Sequence, residues 1–255
     1  MKNIAIVTGA SSGLGREFVK LLLKEKDVDQ IWAVARRKQK LDQLAEKYGD
    51  KVKTYAIDLS DRDVVLKFGE LIKRKKPNIK YLVNSAGYAK FCSYHGLSVK
   101  GTLNMIDVNC CAPVALTLLA LPYMRRGSHI LNISSQASFQ PLPYQNVYSS
   151  TKAFLRNYTR ALNVELKEKG ISATAVCPGW MRTALYQRAK IGAEKTVNNF
   201  FGMVMPDKVA KKALLDAKKN RDMSVYSIYT KVCHVAAKVL PQKTVMKIWM
   251  MQQRF

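Results

Sequence analysis

An apolar run at residues 4–7 ends in Thr8-Gly9-Ala10-Ser11-Ser12-Gly13-Leu14-Gly15. Phe18, Leu21 and Leu22 then fall near one face of a helix predicted over residues 15–26. A short, continuous apolar run suits a strand covered on both faces, and such strands belong to parallel sheets with helices above and below. Glycines between that strand and helix allow a sharp turn and close backbone approach. The N–H groups at the helix start are then unpaired, and together these features suit a pyrophosphate. Gly9, Gly13 and Gly15 follow G-x-x-x-G-x-G rather than G-x-G-x-x-G, so their meaning depends on the strand–turn–helix context.

That context repeats along the chain. Strands are predicted at residues 31–35, 52–57, 81–83, 129–133 and 171–176. Helices are predicted at 41–48, 61–75, 102–124 and 147–169, with Pro113 expected to kink the third of these. Strands alternating with helices predict one doubly wound α/β domain over residues 1–255. No repeat, low-complexity tract or linker divides it.

Composition narrows the function classes. Lys and Arg number 43 against 18 Asp and Glu, a net charge of +25. Such a field attracts polyanions. No nucleic-acid motif accompanies the charge, so nucleic acid is not an expected partner. An anionic substrate, an anionic membrane surface or an acidic carrier protein fits it too, as do simply solvated faces such as Lys73-Arg74-Lys75-Lys76. Five cysteines without a C-x-x-C pair read as reduced thiols of a cytosolic protein, and three scattered histidines offer no metal-ligand spacing. No apolar run is read as long enough to span a bilayer, and Met1-Lys2-Asn3 leads into the first strand without a signal-peptide pattern.

The candidate chemistry lies in mid-chain. Tyr148 and Lys152 are four residues apart on a predicted helix and so share a face. Tyrosine is a poor acid or base at its ordinary pKa, and a neighbouring ammonium is expected to lower it. Ser135 lies thirteen positions before Tyr148, next to Ser134. A second Y-x-x-x-K, Tyr186 to Lys190, has Ala173 at the corresponding earlier position and follows Pro178-Gly179, so the first copy is preferred.

T-G-x-x-x-G-x-G, Asn84-Ser85-Ala86-Gly87, Ser135 with Tyr148 and Lys152, and Pro178-Gly179 occur in that order. Together they resemble the short-chain dehydrogenase/reductase family over about residues 3–183. The resemblance implies a Rossmann-type parallel sheet of about seven strands, the last near residues 223–226. It implies a nicotinamide dinucleotide held by Gly9, Ser11, Ser12, Gly13, Leu14 and Gly15, by Asp58 and Leu59 near the adenine, and by Asn84, Ala86 and Gly87 along the cofactor. Ser85 departs from the family's usual second asparagine there. Pro178, Gly179 and Thr183 would border the nicotinamide end. Tyr148 would be the acid/base, Lys152 would hold the ribose and support Tyr148, Ser135 would orient the substrate oxygen, and Asn109 would link Lys152 to a water-mediated proton relay.

Arg36 and Arg37 stand where family members that use NAD usually carry an acidic residue. Guanidinium groups clamp a 2′-phosphate that a carboxylate would repel, so NADP(H) is the expected cofactor. The expected activity is interconversion of a carbonyl compound and an alcohol, with reduction favoured in the cell. A non-catalytic NADP(H) sensor on the same fold is the alternative, disfavoured by the presence of both Tyr148 and Lys152.

A substrate loop is expected at about residues 180–205, with Tyr144, Trp180, Phe200 and Phe201 as pocket candidates. Aromatic walls suit a bulky apolar substrate such as a hydroxysteroid, a bile acid or an acyl derivative. Arg182 reads either as a contact for an anionic substrate tail or as one exposed arginine among many. Residues 226–255 read as two amphipathic helices with basic edges. These suit packing on the domain, a lid, a dimer arm or a peripheral membrane foot. The resemblance also implies a homodimer or homotetramer.

Overall fold

The computed structural model describes residues 2–183, 185–190, 197 and 199–254. Seven strands form one sheet: β1 (Asn3–Thr8), β2 (Gln30–Ala35), β3 (Val52–Ala56), β4 (Asn78–Asn84), β5 (His129–Ile133), β6 (Ser172–Val176) and β7 (Met223–Ser224). They are all parallel, in the order β3-β2-β1-β4-β5-β6-β7. The predicted sheet is therefore present, with β7 ending two residues short of the expected range.

Alternation along β1 explains why its run is apolar throughout. Ala5 and Val7 join a core with α1 (Gly13–Leu22), α2 (Lys38–Tyr48) and α8 (Pro206–Lys218), through Phe18, Leu41 and Leu214. Ile4 and Ile6 point the other way, to α3 (Arg62–Lys75), α5 (Ala112–Ala120) and α6 (Asn146–Glu165), through Phe68, Leu116 and Leu162. Each fully buried side chain of this size contributes roughly 1.5–3 kcal/mol.

Local chemistry sets the helix ends. Asp61 caps α3 by accepting from the backbone N–H groups of Asp63 and Val64, which makes Arg62 the first helical residue. Lys73, Arg74 and Lys75 occupy its last turn, where the helix dipole favours cations, so this basic run has a structural role. α1 starts at Gly13, two residues before the predicted start, because the glycine turn itself feeds the helix. α6 ends at Glu165 rather than near Lys169.

The expected kink takes a different form. α4 (Val99–Ile106) passes into α5 through a π-helical segment, Asp107–Cys111, in which the N–H of Ala112 reaches back five residues to Asp107 O. Pro113 has no N–H to donate, so the carbonyl four residues earlier, that of Asn109, lacks its ordinary helical donor.

This helical stretch also corrects the reading that nothing is long enough to span a bilayer. Val99–Tyr123 runs 25 residues and contains an 18-residue window of mean hydropathy 1.6, half of which is buried in the domain. Its apolar character is that of a core helix: Ala112, Leu116 and Ala120 pack under the sheet.

The remaining helices, α7 (Leu185–Lys190), α9 (Ile228–Val239) and α10 (Gln242–Gln253), gather at the carboxyl end of the sheet. α9 and α10 match the two predicted C-terminal helices. The expected substrate loop is partly outside the described residues, as is the side chain of Lys190 in the second Y-x-x-x-K.

Candidate active site

β1 is flanked by β2 and β4, so the order in which strands are added reverses at the β1–β4 boundary. The crevice beyond the strand ends is where α/β sheets take ligands. Gly9, Ser11, Ser12, Gly13, Leu14 and Gly15 line it, facing Ala86 and Gly87 from the end of β4. Thr8 Oγ1 accepts from Ala86 N at 3.0 Å and joins the two strand ends.

The glycines are there for space and for backbone conformation. Gly9 has φ +66°, and a Cβ on it would lie 2.8 Å from Ser85 O. A Cβ on Gly15 would collide with the carbonyl of Gly9. Gly13 has φ +55°, and its missing Cβ faces Thr183, with Cγ2 3.5 Å away. The turn is thus folded tightly on itself and open only toward the crevice, where Thr183 also lies.

Cations collect at one end of this crevice. Arg37 donates to Ser11 Oγ at 2.9 Å and Ser12 Oγ at 2.7 Å, tying β2 to the glycine turn. Arg36 lies 3.9 Å from the Asp58 carboxylate, which also accepts from Ser60 N and Oγ. Arg188, from α7, lines the same crevice and was not singled out in the sequence. The Arg37 guanidinium is pushed below its ordinary pKa by burial, then by Arg188 and Arg36. Three guanidinium groups crowded in one place favour a bound anion. Asp58 and Leu59 line the crevice as expected.

Asn84 is placed differently. Its side chain is buried in the core and donates to Asn132 Oδ1, Pro113 O and Thr117 Oγ1. As the last residue of β4 it ties that strand to β5 and α5, and the crevice is lined instead by Ser85, Ala86 and Gly87 just beyond the strand end.

The mid-chain residues do converge. Ser135 and Tyr148 both line an apolar pocket beside the crevice, close enough for the serine to temper the tyrosine's pKa; Leu185 forms part of both walls. Ser134 donates its hydroxyl to Lys152 O, and of the two serines Ser135 lines the pocket. The Lys152 ammonium donates to Ile133 O at 2.8 Å, and a Cβ on Gly87 would lie only 3.2 Å from it. Lys152 therefore sits at the junction of crevice and pocket, buried, and burial lowers its pKa to about 8.

Tyr148 runs against expectation. Burial raises its pKa, and Ser135 only partly offsets this. Lys152 lies 5.8 Å from the Tyr148 ring centroid and spends a proton on Ile133 O, so desolvation outweighs the ammonium. Tyr148 is held protonated.

Asn109 sits in the π-helical segment with its side chain fully engaged. It accepts from Tyr88 N at 3.1 Å and donates to Tyr88 O and Thr151 Oγ1. Thr151 precedes Lys152, so Asn109 locks the α6 turn that carries the lysine.

Of the four aromatic candidates, Trp180 and Phe201 line the apolar pocket. Phe200 instead packs edge-on against Trp180, 5.0 Å between centroids. Tyr144 takes φ +61° and turns the chain toward Cys92, whose N–H donates to its carbonyl. Gly179 borders this pocket, while Pro178 O accepts from Gln136 N. Arg182 is exposed and lines neither cavity.

The pocket roof comes from the C-terminal helices, which the sequence left open between several roles. Tyr229, Cys233, Ala236 and Leu240 line it from α9 and the residue after it, and Val245, Ile248, Trp249 and Gln252 line it from α10. Trp249 Nε1 donates to Pro143 O at 3.1 Å. Gln253 and Asn199 exchange two hydrogen bonds, fastening α10 to Asn199.

Two amides in this pocket are unpartnered among the described residues: Gln145 Nε2, on a residue only 2% exposed, and Gln136 Oε1. Such groups call for a polar partner. Among the described residues no cluster of His, Cys, Asp and Glu could hold a metal ion.

Residues 3–193 match the family model described as short chain dehydrogenase. An uncharacterized oxidoreductase of Staphylococcus epidermidis is 29% identical over 196 residues, covering 76% of this chain and 84% of its own. A very-long-chain 3-oxoacyl-CoA reductase of Anas platyrhynchos is 32% identical over 203 residues, 75% of this chain and 64% of that one. A short-chain dehydrogenase from Sphingobium yanoikuyae, solved in complex with NADPH, superposes with TM-score 0.78 at 26% identity. That match covers 98% of this chain and 95% of the other.

Proposed function

The chain belongs to the short-chain dehydrogenase family, and from that premise we propose that it is an NADP(H)-dependent reductase of apolar ketones, with acyl derivatives as the favoured class. One observation carries the reading: Tyr148 and Ser135 meet in an apolar pocket, and Lys152 stands between that pocket and a glycine-lined crevice rich in arginine. The crevice suits NADP(H), since its glycine turn admits a pyrophosphate and Arg36, Arg37 and Arg188 suit a 2′-phosphate.

Bound there, the nicotinamide supplies the hydride. Ser135 and Tyr148 hold the carbonyl oxygen, and Tyr148 delivers a proton as negative charge develops on it. Lys152 holds the ribose side of the crevice and stabilises the phenolate left behind. The carbonyl of Asn109, freed by Pro113, is an acceptor for the water that returns the proton.

The orphan amides point to a second polar atom on the substrate. Gln145 lies three residues before Tyr148, about one helical turn away. Its N–H suits a second carbonyl close to the reacting one, as a 3-oxoacyl thioester provides, and the Anas relative's named activity agrees with this. NADPH oxidation, followed at the nicotinamide absorbance, tests the reading. Long-chain 3-oxoacyl thioesters should turn over faster than monoketones of equal length or steroid ketones. Equal rates for the monoketones would remove the role of Gln145.

The buried lysine sets a pH dependence. Lys152 is charged below about pH 8 and loses its proton above it. Tyr148, shifted upward, stays protonated across that range. kcat/KM for reduction should therefore be level below about pH 8 and fall above it, a limb that reports the free enzyme. A flat profile to pH 10 would contradict the assigned role of Lys152.

A further inference from the structure

We infer that the outward faces of α9 and α10 form a docking surface for an anionic lipid bilayer, placed at the mouth of the apolar pocket. The usual amphipathic logic is inverted on α9. Tyr229, Cys233, Ala236 and Leu240 line the pocket. One residue earlier at each step, about 100° around the helix, Ile228, Val232, Val235 and Val239 form a second apolar stripe that is largely exposed. Ile228 is 80% exposed and Val239 76%. Lys231 and Lys238 are exposed on the same side. α10 repeats the pattern, with Ile248 and Met251 exposed beside Lys243, Lys247 and Arg254.

The two stripes meet at the pocket. Leu240 and Ile248 line it and are also 38% and 42% exposed, so an apolar path runs from the outer face to the site beside Tyr148. A chain that partitions into lipid could follow this path without crossing water.

Charge selects the occupant. Residues 223–255 contain five Lys and Arg and no Asp or Glu. A second copy docking this face on itself, as two-fold symmetry requires, would set Lys231 and Lys238 against their own counterparts with no local carboxylate to pair them. An anionic headgroup layer neutralises the same lysines while the valines enter the acyl boundary. Route of entry depends on the pocket being the substrate site; the surface itself does not.

The test is co-sedimentation of the full chain with vesicles, either of equal parts phosphatidylglycerol and phosphatidylcholine or of phosphatidylcholine alone. Binding should be confined to the anionic vesicles. Val232→Ser/Val235→Ser keeps the charge and should still weaken binding severalfold. Lys231→Gln/Lys238→Gln should weaken it on the order of tenfold or more. Lys73→Gln/Lys75→Gln, the same charge change on α3, should leave it unchanged. NADPH binding by each variant checks that the fold is intact.

Equal losses from both lysine pairs, no binding to either vesicle, or a dimer that dissociates on the Val232→Ser/Val235→Ser change would each overturn the inference. Failure of vesicle binding with ketone reduction intact strikes this inference alone. Vesicle binding without turnover supports it and strikes the enzymatic reading instead.

Discussion

Tyr148→Phe is expected to lower ketone reduction by about 10²–10⁴-fold while leaving NADPH affinity unchanged. The phenol is desolvated and held protonated, so its hydroxyl has a proton to give in this pocket. Phenylalanine fills nearly the same volume and removes only the hydroxyl. Lys152, anchored on Ile133 O rather than on Tyr148, keeps its position in the variant. Steady-state kinetics with a fluorescence titration of NADPH separates the two effects. Turnover near the wild-type rate would remove Tyr148 from the mechanism, and loss of NADPH binding would show that its role is structural.

Arg37→Glu should weaken NADPH binding by on the order of 10–100-fold and NADH binding far less. Arg37 is the better placed of the two adjacent arginines, since its guanidinium already bonds the Ser11 and Ser12 hydroxyls at the glycine turn. A carboxylate there loses those bonds and repels a 2′-phosphate. Arg36→Asp acts in the same direction with a smaller effect, because Arg36 already shares its charge with Asp58. Dissociation constants for both nucleotides decide the matter. Equal losses for NADPH and NADH would mean that Arg37 only braces the turn.

The features legible in the sequence are those whose chemistry is local. The glycine turn is a strand end followed directly by a helix start, and Gly9, Gly13 and Gly15 carry it in seven consecutive residues. Tyr148 and Lys152 share a helix face by spacing alone. Parallel topology follows from alternation, and the continuous apolar runs of β1 and β2 agree with burial on both faces.

The features that stayed hidden depend on distant parts of the chain. Arg188 sits in a sequence with 43 basic residues, and only the fold of α7 brings it to Arg37. Trp249 reaches Pro143, 106 positions earlier, to close the pocket. Gln145 and Gln136 are unremarkable residue types until burial strips them of partners. Pairwise reasoning also misjudged Tyr148: a lysine four residues away suggests a lowered pKa, yet desolvation reverses the sign. Asn84 looked like a cofactor contact from its motif, and its hydrogen bonds place it in the core.

The most direct test of hydride transfer is isotopic. NADPH carrying deuterium at one face of nicotinamide C4 is incubated with the full-length protein and a long-chain 3-oxoacyl thioester, and the alcohol is analysed by mass spectrometry. Deuterium on the new carbinol carbon, from one C4 face only and absent with Tyr148→Phe, is the expected result. NADPH bound tightly with no label in any product would contradict it and favour a protein that senses the nucleotide without using it.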